Sequence, residues 1–521
     1  MRINFAPVAH SAVFIRRSPS AKSMVDIVLL LGRRASSVDS EFVRSVIDSG
    51  TTVVSAQVPS FSPVEGMVRE EWTGAHHQHG VDLARAGSGL RLRDVVLVTI
   101  PEPRTCRLAM LHVWTSPEST YDIDSVRVPW EEVAEYNRKT GRSKKFRVDK
   151  RNNPLGKNPT NFWWFSAPPG DLQPAATVPD APKGEANGIV TLGSGIELNA
   201  FERVVLAHST EGGSVHIWAE DDDYDILSRM ASSLGREAAR VPEGESDEFT
   251  PIPVLSSPCS EARDEGAVEE ISTSRKFDDV EVTATAKIQD CRGGIRGISE
   301  VPITNVVTSP PYNIRYQPFN VPKPDSSGEY RAPKREGYDD ELSPEQYAGL
   351  LQSTFREIDA KSDPDHFDLF LNVKSNYSGG GCGLPFYMLD LMPERWGLLD
   401  VLVWRYDISF DPGRGKYKPQ YEWVIRVGFG EVSLPDLGML DWYIPILKGN
   451  SRERRDLVHP AMFPRDLVER CLEEPGRPAG LVLDPFLGSG TTLAACLELG
   501  VSSIGFEKSA KFLPDISKRL A

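Results

Sequence analysis

Within five residues, Thr308-Ser309-Pro310-Pro311-Tyr312 brings together a hydroxyl, two rigid peptide carbonyls and an aromatic ring. That set can grip a planar amine. The Ser309 hydroxyl and the Pro310 carbonyl can each accept a hydrogen bond from an amine N–H, and the two prolines hold the carbonyl in one direction by fixing φ. An exocyclic amine conjugated to a heterocycle is a poor nucleophile; two such acceptors draw it toward sp³ geometry and expose its lone pair. Positioning then carries the reaction, without a metal or a covalent intermediate. Tyr312 offers a flat face on which a base extruded from a duplex could stack. Asn313 and Arg315, just beyond, are placed to touch a nucleic-acid backbone or base.

A second segment, Asp484-Pro485-Phe486-Leu487-Gly488-Ser489-Gly490-Thr491-Thr492, is suited to a nucleotide-like ligand. Glycines let backbone N–H groups approach a ligand closely because no Cβ intervenes. Leu481-Val482-Leu483 reads as a strand entering this turn, and Thr491 to Leu499 as the helix leaving it. A further short strand from Ser503 ends at Glu507, whose carboxylate can accept from ribose hydroxyls. Strand, glycine turn, helix, strand, acid is half of a nucleotide-binding fold.

In this order, amine loop first and glycine turn last, the two segments resemble the permuted (β-class) amino-methyltransferases of DNA. The resemblance implies S-adenosylmethionine as cofactor and a C-terminal α/β domain with a mostly parallel, seven-stranded, Rossmann-like sheet. It implies that Asp484 and Phe486 contact the methionine part, with Pro485, Gly488, Ser489, Gly490 and Thr491 forming the turn beneath it. Asp290 matches the acid that sits near adenine, and His459-Pro460-Ala461-Met462-Phe463-Pro464 matches a segment that lines the methionine pocket. Trp404-Arg405-Tyr406 and Lys418-Pro419-Gln420-Tyr421-Glu422 resemble the stretch flanking the flipped base, which makes Trp404 a candidate DNA contact. Tyr421 stands where that family often has His. Ser-Pro-Pro-Tyr leans toward cytosine N4 as acceptor, whereas Asp-Pro-Pro-Tyr leans toward adenine N6. The activity implied is methylation of cytosine N4 in double-stranded DNA within a restriction–modification system, with a cognate restriction endonuclease as partner. The alternatives are N6-adenine methylation and a catalytically silent DNA-binding paralogue.

The elements that must position these residues are legible in outline. Asn305 to Thr308, Phe367 to Val373, Val401 to Trp404 and Trp423 to Val427 read as strands, Pro344 to Ile358 and Phe463 to Glu473 as helices. With 521 residues, the chain exceeds the size of a single core. We expect an α+β N-terminal domain over 1–240, an acidic Pro/Ser/Glu-rich linker over 241–274 and a catalytic domain over 275–521. In the N-terminal part, residues 122–129 and 153–159 and then Trp163 resemble an interval that other members carry late in the catalytic domain. Leu92 to Val98 echoes Leu399 to Val403, and His112-Val113-Trp114 echoes Glu422-Trp423. The first 170 or so residues therefore read as a partial, inactive second copy, free to read DNA.

The formal net charge of −15 is unevenly spread. Acid gathers at 220–223 and 243–270, while residues 138–157 hold a basic run including Arg142, Lys144, Lys145 and Lys150, candidate phosphate contacts. Six scattered cysteines without CxxC spacing suggest reduced thiols. His76-His77-Gln78-His79 has no companion ligands and reads as a surface loop, so no metal is expected. Val28 to Leu31 is too short to span a membrane and reads as a buried strand. The expected setting is the cytoplasm of a bacterium or archaeon, or a phage-encoded product.

Overall fold

The computed structural model describes residues 25–31, 50–57, 91–101, 106–115, 119, 121–122, 124–126, 162–163, 190–193, 195–241, 269–277, 280–298, 301–313, 342–374, 388–389, 391–406, 420–430, 441–447, 457–459, 462–476 and 479–521. They build two sheets. The first contains β1 (Val25–Leu31), β2 (Thr52–Gln57), β3 (Arg91–Pro101), β4 (Cys106–Thr115), β5 (Phe162–Trp163), β6 (Ser214–Trp218) and β7 (Glu237–Arg240), in the order β5-β3-β4-β2-β1-β6-β7. Helices α1 (Leu198–His208) and α2 (Asp221–Ser233) cover one of its faces. The acidic run lies in the first turn of α2, where negative charge complements the helix dipole.

The second sheet has nine strands: β8 (Glu269–Phe277), β9 (Val280–Ile288), β10 (Ile303–Thr308), β11 (Phe367–Val373), β12 (Gly397–Arg405), β13 (Tyr421–Phe429), β14 (Asp441–Tyr443), β15 (Leu481–Asp484) and β16 (Ser503–Glu507). Their order is β14-β12-β13-β11-β10-β15-β16-β9-β8. Strands β9, β16, β15, β10 and β11 run parallel, β13 is antiparallel to both its neighbours, and β8 folds back on β9. This is the expected Rossmann-like α/β sheet, with two strands more than the seven anticipated. The additions are its edges: β14 is three residues long, and β8 (EEISTSRKF) is too polar to stand out in sequence.

β10 and β11 are buried along their whole length, as strands covered on both faces must be. Helices α3 (Cys291–Arg296) and α4 (Pro344–Lys361) pack on one face; α5 (Arg465–Glu473) and α6 (Thr491–Leu499) lie on the other, and α7 (Leu513–Leu520) closes the chain. A capping box starts α4, with Ser343 accepting from the Gln346 amide and the Gln346 side chain accepting from the Ser343 amide. The linker expected over 241–274 ends sooner, because Glu269–Phe277 is β8 of the second sheet; residues 242–268 lie outside the described residues. Pro464 is the N-cap of α5 rather than part of its first turn. Among the described residues, no helix is long and apolar enough to cross a membrane.

Candidate active site

The amine loop leaves the carboxyl end of β10, and the neighbouring strands supply the partners that shape it. Ser309 Oγ donates to the Tyr312 hydroxyl at 3.1 Å. That hydroxyl lies 2.7 Å from Glu422 Oε2 and 3.0 Å from Asn372 Oδ1, so its proton is directed into a carboxylate at the start of β13 and an amide oxygen on β11. The Asn372 amide is itself oriented by donating to the Trp423 carbonyl at 3.2 Å. The loop is braced from α4: the Tyr347 hydroxyl donates to the Pro311 carbonyl at 2.5 Å. Asn313 closes it with φ of 50°, a left-handed conformation that Asn tolerates. Its side chain accepts from the Leu342 amide at 2.9 Å and donates to the Leu342 carbonyl at 2.8 Å.

The glycine turn sits beside this loop, one strand over. Asp484, fully buried at the end of β15, accepts from Thr308 Oγ1 at 2.8 Å, Thr492 Oγ1 at 2.6 Å and the Phe486 amide at 3.1 Å. One carboxylate therefore ties the last residue of β10 to the first turn of α6. Burial pushes its pKa up to about 6, against the three hydrogen bonds that favour the charged form. Gly488 has φ of +56° and Gly490 of +82°. A Cβ on Gly488 would meet His459 Nε2 at 3.0 Å, so the turn closes against that imidazole only because the residue is glycine. His459 is held in turn: its amide donates to Asp515 at 2.8 Å, and its ring packs edge-on against Phe512 at 4.4 Å. Glu507, at the end of β16, accepts from the Gly488 amide at 2.9 Å and the Ser509 amide at 2.8 Å. Ser489 and Thr491, both buried, have hydroxyls 3.3 Å apart. Asp290 caps α3 at the same edge of the sheet. Burial raises its pKa, but hydrogen bonds from Arg292 and the charges of Arg292 and Lys508 outweigh this and hold it below the ordinary value.

Of the residues singled out in sequence, the structure brings together Ser309, Pro310, Pro311 and Tyr312 with Asp484 to Thr491, Glu507 and His459. Two expectations are corrected. Trp404 is buried rather than turned toward DNA; its Nε1 donates to the Ile444 carbonyl at 2.8 Å, because β12 lies between two strands and this face of it packs under α5. Asn313 is buried, with both ends of its side chain engaged by Leu342 rather than by a nucleic acid. Asp484 accepts from Thr308, Thr492 and Phe486, which shapes the turn from below. Arg142, Lys144, Lys145, Lys150 and Arg315 lie outside the described residues. Sequence reasoning missed Asn372 and Tyr347, which carry no motif, and gave Thr308 no role although it opens the amine loop. Glu422 was within reach through its neighbour Tyr421, but was given no role.

Residues 434–518 match the N6/N4 methyltransferase family, described as DNA methylase. The chain is 30% identical over 195 residues to Type II methyltransferase M.MwoI of Methanothermobacter wolfeii, covering 34% of this chain and 28% of that protein. Over 275 residues it is 22% identical to Type II methyltransferase M.SmaI of Serratia marcescens, covering 45% of this chain and 89% of that protein. Thus the matched stretch spans little more than a quarter of the first relative and most of the second. Among solved structures it is similar to PvuII DNA methyltransferase (cytosine-N4-specific), at 18% identity over 45% of this chain and 86% of that one, with a TM-score of 0.35. It is also similar to the M1.HpyAVI–SAM complex, at 19% identity over 44% and 96% of the two chains, with a TM-score of 0.30. The sequence matches support a DNA methyltransferase of the N4/N6 class.

Proposed function

We propose that the chain methylates the N4 amine of a cytosine flipped out of double-stranded DNA, using S-adenosylmethionine, as the protective half of a restriction–modification system. The carrying observation is the hydrogen-bond chain Ser309–Tyr312–Glu422 one strand from the glycine turn. Because Ser309 directs its own proton toward Tyr312, its lone pairs are left to accept from the amine. The Pro310 carbonyl takes the second amine N–H. When bound, the cofactor supplies an electrophilic methyl group on a sulfonium. The residues fit such a ligand: the positive-φ glycines would let backbone approach it, Glu507 would offer oxygens to ribose hydroxyls, and Phe486 with His459 would border the methionine side. Beneath them, the Asp484 carboxylate places negative charge where a cation is to be held.

An amine that has received the methyl group would be cationic and would have to shed a proton. Ser309 Oγ takes it and passes its own proton to Tyr312, whose proton goes to Glu422; the carboxylate ends neutral and the charge balances. Removing a preorganised group of this kind costs about 10²–10³ in turnover. The test is expression of the whole chain in a host free of DNA methylation, with modified bases mapped by single-molecule sequencing. The expected mark is N4-methylcytosine in one short motif, lost with Ser309→Ala and strongly reduced with Glu422→Gln. N6-methyladenine in that motif would reassign the base, and full methylation by Ser309→Ala would overturn the mechanism.

A further inference from the structure

The seven strands of the first sheet repeat seven of the nine strands of the second. Its order, β5-β3-β4-β2-β1-β6-β7, matches β14-β12-β13-β11-β10-β15-β16, and each corresponding pairing has the same sense, parallel or antiparallel. Two irregularities align the copies independently. The register of β3 on β4 slips between Leu92 and Asp94, and that of β12 on β13 slips between Leu398 and Asp400. The register of β1 on β6 slips between Val25 and Ile27, and that of β10 on β15 between Ile303 and Asn305. Carried across the paired strands from either slip, the equivalences agree: Val28 with Val306, Val53 with Leu369, Val95 with Val401. At the far edge, Trp163 then corresponds to Trp442. The echo expected at His112-Val113-Trp114 is corrected by four residues, since the register sets Ala109 and Met110 at Glu422 and Trp423.

Among the described residues, five polar positions of the site have equivalents in this copy, and all five are apolar. Leu30 and Leu31 stand at Thr308 and Ser309, Ala56 at Asn372, Ala109 at Glu422 and Ile217 at Asp484. Only Ala219 and Glu220 separate β6 from α2, so no glycine turn intervenes. The faces correspond as well. Leu29, Val54 and Val96 lie under α1 and α2, as their equivalents Val307, Phe370 and Leu402 lie under α5 and α6. The opposite faces share a single apolar core, in which Val53, Val95 and Leu97 join Leu369, Val401 and Val403. Equivalent faces meeting each other is the geometry of a two-fold dimer. A polar contact crosses it: the buried Tyr421 hydroxyl donates to the Val95 carbonyl at 2.7 Å. Tyr421 is the residue before Glu422, at which the Ser309–Tyr312 hydrogen-bond chain ends.

We infer that residues 25–241 are a silent second copy of the catalytic fold from β14 to β16, fused as a permanent partner through the equivalent face, and that Tyr421 is the positioning residue through which this copy aligns Glu422. The first sheet is then not an unrelated recognition module but half of an internal pseudo-dimer with one working site. Three measurements on the full chain test it. Titration with S-adenosylhomocysteine should give one site per chain; two sites would overturn the silence of the copy. Calorimetric unfolding should show one transition, since the halves share a core; two separable transitions would overturn the shared face. Tyr421→Phe should lower kcat about five- to thirty-fold, as loss of one orienting hydrogen bond does, with KM and binding affinity for the cofactor unchanged. An unchanged kcat, or an equal loss of cofactor affinity, would overturn the positioning role. Only this last arm rests on the proposed methylation; a chain that methylates nothing still answers the first two.

Discussion

Asp484 shows how a residue's place can be legible in sequence while its partners are not. Its place at the end of a strand before a glycine turn was readable from sequence. Its task was not, because the two threonines that engage it arrive from residue 308 and from the far side of the turn. The consequence is a pH dependence. Burial raises the carboxyl from 3.8 to about 6, so the folded protein carries it neutral at pH 5 and charged at pH 7.5. For folding alone the raised value is a penalty: absent below the unfolded pKa, it grows as pH rises toward 6 and persists above, at about 3 kcal/mol. For a cationic ligand the sign reverses, because only the ionised form attracts a sulfonium. Affinity for S-adenosylmethionine measured calorimetrically should therefore weaken about tenfold between pH 7.5 and 5. Asp484→Asn should bind weakly at both values and flatten the curve; a pH-dependent affinity surviving in that variant would sink the argument.

At the level of elements, the sequence announced strands that are apolar throughout and helices that begin on a clear cap. β10, β11, β15 and α6 fall where periodicity and flanking turns put them. β8 and β14 did not announce themselves, since one is polar and the other is three residues long. Partners drawn from distant strands, such as Asn372 and Glu422, are invisible to local pattern; only strand order brings them to Tyr312. The glycine turn permits a sharper test. Gly488→Ala must adopt φ near +56° and also push its methyl against His459. The left-handed backbone costs about 1–2 kcal/mol and the imidazole contact adds to it. We expect Gly488→Ala to lower cofactor affinity at least tenfold, and Gly488→Ala with His459→Ala to recover part of it but not all. Full recovery would show that φ is no constraint there; no recovery would remove His459 from the account.

For the molecule as a whole, a net charge of −15 sits awkwardly with DNA as substrate until its distribution is considered. Acid lies partly in the first turn of α2, where the helix dipole absorbs it, and partly in 243–270. The basic run over 138–157 falls between strands β4 and β5 of the first sheet, the interval that corresponds to the stretch between β13 and β14 in the catalytic copy. Under the proposed methylation, and with no chemistry in the first sheet, this insertion is a candidate to hold the duplex. Each phosphate neutralised releases condensed counterions, so log K falls with log salt at about 0.9 per contact. Replacing Arg142, Lys144, Lys145 and Lys150 together by Gln should then weaken binding of target and non-target duplexes alike, and make the salt slope shallower by about 3 to 4. Cofactor affinity in the same variant should not move, since none of these residues belongs to the turn or to Glu507. A slope left unchanged by the fourfold replacement would mean that the basic run makes no phosphate contacts and that the duplex is held elsewhere on the pair of sheets.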